Sequence, residues 1–142
     1  SASQSYTLKF PTGNVTADRF LKVDSITGSG TTAVGQLSFG EVSGGTSWQA
    51  VKTSNFTAVA GEGYFVNTTS GAITATLPSS ASIGDEVSII DYAGTADSNN
   101  ITIGRNSHKI QGASADLTVS VERAAFTLVY VDSTQGWLLR EK

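Results

Sequence analysis

Apolar and polar residues alternate along most of this chain with a period of two. In AITATLPSS, Ile73, Ala75 and Leu77 alternate with Thr74 and Thr76 until Pro78 stops the run. That period puts successive side chains on opposite faces, so the segment predicts a half-buried strand with its hydroxyls outward. EVSIIDY (86–92), ITI (101–103), LTVSV (117–121) and the closing WLLRE predict further strands. FTLVYV (126–131) is nearly continuous in apolar residues and predicts a strand buried on both faces. GTADSNN, GRNS and DSTQG separate these segments with turn-forming residues.

The first half is looser. SYTLKFP (5–11) alternates, RFLKVDSI (19–26) places Leu21 and Val23 on one face, and QLSFGEV (36–42) forms a third segment. No part of the chain sustains a helical repeat, although ASAD (113–116) and Ala124-Ala125 allow a helical turn. Many short strands with turns between them predict an all-β chain, an antiparallel β-sandwich or barrel. The expected division is a small N-terminal β unit or attachment arm over residues 1–50 and a sandwich-like module over 55–142. GGTS (44–47) reads as the hinge between them. Three strands expose two sheet edges and enclose little core, so the first unit is marginal alone. It must pack on the second half or pair with another chain.

Composition narrows the function. The 142 residues include no Cys, no Met and a single His, with 19 Ser and 18 Thr. A disulfide framework, a thiolate nucleophile and a Cys-type metal site are excluded. Only 15% of residues are charged and the net charge is −3, against roughly a quarter charged in an ordinary domain. Nucleic-acid binding needs clustered Lys and Arg, so no nucleic-acid partner is expected. Nor is a membrane partner, since there is no polybasic patch and no apolar run of about 20 residues. The opening SASQSYTLKF has neither the basic nor the apolar stretch of a leader. Four Asn-x-Ser/Thr sequons occur, at Asn14, Asn55, Asn67 and Asn100; such a composition yields about one or two by chance, and the cysteine-free chain gives no support to a secreted, glycosylated domain.

The order of elements resembles a module of tail-fibre and other appendage proteins of tailed bacteriophages. A Tyr-Phe-Val strand (64–69) leads to ITATLP, then GDEVSIIDYAG, NNITIGRN, KIQG, ADLTV and FTLVYVDSTQGW follow in turn. The resemblance covers about residues 55–142, and the N-terminal YTLKFP, RFLKVDS and GQLSFGEV look like short fibre repeats. Ser107-His108 departs from it, since such modules often carry Gly in the turn after Asn106. The resemblance implies a virion structural protein: a short fibre, or a decoration or adaptor protein of head, neck or tail. Such a protein works as a homotrimer bound to other virion structural proteins and is assembled in the host cytoplasm. Trimerisation would also cover the exposed edges of the first unit.

Candidate chemistry is thin. Asp85, Glu86, Asp91, Asp97 and Asp116 offer carboxylates for glycoside cleavage, which needs two acids at a set separation; their positions at strand starts and turns favour structural roles. His108 sits at a turn exit, no G-x-S-x-G accompanies it, and a role on a three-fold axis is its best alternative. Asp97-Ser98-Asn99-Asn100 has alternating oxygen ligands without the closing acid of a calcium loop. TGSGTTAVG lacks the Lys and helix of a phosphate cradle. The expectation is therefore no catalytic residue, no metal and no cofactor. Aromatics are the remaining candidates, and Trp48, Tyr92 and Trp137 are the expected interface or glycan contacts. The alternative function is a carbohydrate-binding module for host-surface glycan.

Overall fold

A computed structural model describes residues 7–10, 12, 19–29, 33–41 and 45–140. The chain divides into two compact units, residues 1–44 and 45–142. All regular structure among the described residues is β.

The first unit is one three-stranded sheet of β1 (Thr7–Lys9), β2 (Arg19–Thr27) and β3 (Val34–Glu41), in the order β1-β3-β2. β2 and β3 are antiparallel, whereas β1 joins β3 in parallel. Side chains paired across a sheet share a face. The register places Leu8, Gly35 and Ile26 in one row, Val23 beside Leu37, and Leu21 beside Phe39. The opposite face carries Thr7, Lys9, Lys22, Ser25, Thr27, Gln36 and Ser38, interrupted by Phe20 and Val34. In the sequence Leu21, Val23 and Ile26 break the period of two. In space they do not, because the β2–β3 register shifts between Val23 and Ser25. Such a bulge adds one unpaired residue and returns Ile26 to the apolar face.

The second unit is built from β4 (Ser47–Trp48), β5 (Phe56–Thr57), β6 (Glu62–Val66), β7 (Ile73–Thr76), β8 (Glu86–Asp91), β9 (Ile101–Gly104), β10 (Leu117–Val119), β11 (Ala125–Asp132) and β12 (Gly136–Leu139). One sheet has the order β12-β11-β8-β6-β4 and the other β10-β9-β7-β5. From β4 to β9 the chain visits the two sheets alternately, and each strand stacks in parallel on the previous strand of its own sheet. This is a solenoid-like winding. Only at the far end does the pairing become antiparallel, through β9–β10, β8–β11 and the β11–β12 hairpin.

The antiparallel expectation is thus corrected for the β4–β9 coils. The cause is legible in the connections. A hairpin returns a strand beside its predecessor, but each turn here carries the chain across to the other sheet. Alternating burial in β7 follows, with Ile73 and Ala75 inward and Thr74 and Thr76 half-exposed. Tyr64, Val66, Val87, Ile89, Leu128 and Trp137 from one sheet meet Ile73, Ala75, Ile101 and Ile103 from the other in one core. Each large side chain withdrawn this way contributes roughly 1.5–3 kcal/mol.

Two turns fix the winding. Asn106 and Ser107 both have positive φ (47° and 72°), and the His108 amide donates to the Arg105 carbonyl at 3.0 Å. Those are the φ signs of a type I′ turn, met here without glycine. Asn106 holds that turn to the neighbouring coil by donating from its side-chain amide to the Leu77 carbonyl at 2.9 Å. At the β11–β12 turn, the Asp132 carboxylate accepts from the Thr134 and Gln135 amides, both at 2.8 Å. Gly136 follows with φ +73°, and a Cβ there would overlap the Lys109 carbonyl oxygen. That carbonyl accepts from the Trp137 amide at 2.9 Å.

Candidate functional site

Short β4 reaches the edge of the five-stranded sheet, where Ser47 and Trp48 pair with Glu62 and Gly63. In β6, Tyr64 and Val66 point into the core, so Gly63 and Phe65 lie on the outer face. The indole of Trp48 occupies the space a side chain at position 63 would fill. A Cβ on Gly63 would come within 2.6 Å of Trp48 Cε3 and 2.7 Å of Cζ3. Phe65 stacks on the same indole, with centroids 4.9 Å apart and planes at 27°. Trp48 is nevertheless 47% exposed. It forms a fixed aromatic surface on the sheet.

Beside it is a slot of about 250 Å³, lined by Thr46, Trp48, Ser88, Ala125, Thr127 and Arg140 among others. Ser88 and Thr127 are register partners on β8 and β11. Both are buried, and their hydroxyls lie 2.9 Å apart. The Arg140 guanidinium is held by Glu86 at 2.8 Å. Gly63 and the Ser88–Thr127 pair were not nominated by the sequence. A glycine inside the EGYFV strand was the available signal, because an interior strand glycine often marks a close approach.

The residues nominated from the sequence do not come together as one site. Trp137 is fully buried, packed edge-on against Tyr130 at 5.4 Å. As a surface contact it is corrected: the β11–β12 hairpin turns it into the core. His108 also meets the Tyr130 ring, edge-on at 5.1 Å, and its Nε2 lies 3.1 Å from the Ser79 carbonyl. Tyr92 is 51% exposed, and its carbonyl accepts from Arg123 Nη1 at 2.8 Å.

The acids close loops. Asp85 accepts from the Ser82 amide at 2.8 Å, and Asp116 from the Arg105 amide at 2.9 Å. Asp97 accepts from the Ser98 hydroxyl at 3.3 Å, while Asn99 donates to the Thr68 carbonyl at 3.0 Å. Among the described residues no three His, Cys, Asp or Glu side chains are grouped to hold a metal ion.

Asp91 is the most constrained of them. Its buried carboxylate accepts from the backbone amides of Gly94, Thr95, Ala96 and Arg123, at 3.1, 3.4, 3.2 and 3.0 Å. Burial pushes its pKa up, but the four amides outweigh that and hold it below the ordinary carboxylate value. Tyr64 shows the opposite balance. Burial, then its hydrogen bond to Glu62, pushes the phenol up to about 12.

No protein-family model matches the chain, and no curated protein matches it.

Proposed function

We propose that this chain is a bacteriophage virion structural protein, a short fibre or a decoration or adaptor protein of head, neck or tail, that acts by homotrimeric assembly and has no catalytic activity. One observation carries the assembly reading: on the apolar face of the first unit's sheet, around a buried Leu37, several large apolar side chains are left open to solvent. Leu8, Leu21, Val23 and Ile26 on that face are all exposed, Ile26 to 69%, and Phe10 just beyond β1 to 68%. Large apolar side chains exposed side by side, rather than scattered singly, mark an interaction surface.

Second copies of the same sheet suit that face. Lys9 and Lys22 project from the other side, so a matching apolar surface would strand neither of them. Gly35 also leaves a notch of about 140 Å³ bounded by Leu8, Val23, Ile26 and Ala33. An apolar side chain from a neighbour fits such a notch. The virion setting rests on the resemblance of residues 55–142 to appendage modules, and on a Thr- and Val-rich, cysteine-free chain suited to assembly in a reducing host cytoplasm.

Mass by light scattering tests the assembly. A trimer at micromolar concentration is expected, and Ile26→Asp is expected to return it to monomer. A wild-type chain that stays monomeric, both alone and in a purified particle, overturns the reading. Mass spectrometry of purified virions tests the setting, and absence from them removes it.

A further inference from the structure

We infer that the slot beside Trp48 binds a single neutral sugar ring, stacked on the indole and hydrogen-bonded to the floor below. This goes beyond assembly, and it uses residues of the second unit alone.

The aromatic wall is built in advance. Trp48 is wedged between the missing side chain of Gly63 and the ring of Phe65, so little freedom is lost when a ligand stacks on its outer surface. The flat C–H face of a pyranose suits such a surface, because aromatic rings offer a broad apolar body. Pre-formed aromatic clefts with a few placed polar groups are the usual form of small-molecule sites.

The floor supplies those polar groups. Ser88 and Thr127 each carry one hydroxyl proton, and the hydrogen bond between them uses one. Neither hydroxyl has another protein partner among the described residues. One donor and several lone pairs therefore remain on two side chains more than nine-tenths buried at the base of the slot. Buried hydroxyls in such a position are ordinarily hydrogen-bonded. A sugar hydroxyl both donates and accepts, so it can meet either member of the pair. A purely apolar occupant would leave the pair as it is, and an anion would lie against acceptor lone pairs as well as the one donor. Arg140, fixed by Glu86, lines the slot with a planar donor of the kind that grips vicinal hydroxyls.

Saturation-transfer NMR on the full chain tests the inference, with the methyl pyranosides of glucose, galactose, mannose and N-acetylglucosamine as probes. At least one is expected to bind in the millimolar range, about 1–10 mM. Trp48→Ala is expected to weaken it roughly tenfold, and Ser88→Ala about fivefold. Gly63→Ala is expected to act like Trp48→Ala, by lifting the indole from its seat. Trp137 emission, from a fully buried indole, checks that each variant is folded. No transfer from any probe at about 50 mM, well above that range, overturns the inference. So does transfer that survives in a folded Trp48→Ala. Trp48 emission that follows protein concentration and ignores sugar also overturns it, because a second copy then covers the ring. A trimer that binds no sugar sinks this site and leaves the assembly reading standing; a monomer that binds sugar does the reverse.

Discussion

The two units solve the same problem, a sheet with one apolar face, in opposite ways. In the second unit the chain supplies both layers itself, so Val66, Leu77, Val87, Ile101, Ile103 and Leu128 are fully buried. In the first unit a sheet of comparable patterning keeps Leu37 as its one buried large hydrophobic side chain among the described residues. Winding back and forth between two sheets gives the chain its own opposing layer. A lone sheet must find that layer elsewhere. The difference teaches that amphipathic strands are a requirement for burial, and that topology decides whether one chain can meet it.

Substitutions can break this contrast, and Gly136→Ala is the most severe. A methyl against the Lys109 carbonyl, added to the cost of positive φ, is expected to destabilise the second unit by about 3–5 kcal/mol. Chemical denaturation followed by Trp137 emission measures it. Asp91→Asn comes next, at about 2–3 kcal/mol, because a neutral amide replaces a carboxylate that accepts four amide hydrogens. The same carboxylate sets an acid limit. A pKa lowered on folding contributes stability that is present above the unfolded value and lost as pH falls through the folded one. Wild-type acid unfolding should therefore begin below the ordinary carboxylate value of 3.8, and Asp91→Asn should flatten that part of the profile.

Tyr64 sets the alkaline limit with the opposite sign. Its raised pKa keeps the neutral phenol favoured in the fold, so its contribution is intact below the unfolded value of 10.0 and is lost as pH rises through about 12. Tyr64→Phe should remove that loss, read as a flatter melting temperature between those two values. The smallest effect on the second unit is expected from Ile26→Asp. Its denaturation midpoint should move by no more than about 0.5 kcal/mol, while the proposed trimer is expected to fall to monomer by light scattering. A large shift in that midpoint would show that the units are energetically coupled.

Much of this fold was legible in the alternation. The strands at 73–76, 86–91 and 101–104 lie where Ile-Thr-Ala-Thr, Glu-Val-Ser-Ile-Ile-Asp and Ile-Thr-Ile place them. Strand pairing was not legible. Alternation reports which face a residue occupies and carries no information on which strand lies beside it, so parallel coils and antiparallel hairpins look alike in a single sequence. Trp48 was legible as an exposed aromatic, but its seat was not. That seat depends on Gly63 and Phe65, which are brought beneath and beside it by pairing across two strands. The Ser88–Thr127 pair joins positions 39 residues apart, and no local pattern announces it.

The bulge in β2 acts as a phase corrector. Because one extra residue between Val23 and Ser25 resets the alternation, the strand can lose a residue there and keep its faces in phase, but not on either side. Removing Asp24 would pair Ser25 directly after Val23 and keep Ile26 on the apolar face. Removing a residue outside the bulge would turn the positions beyond it to the other face and split the apolar surface. A deletion scan across β2 would thus reveal the bulge as the position where one residue's loss leaves the apolar face whole.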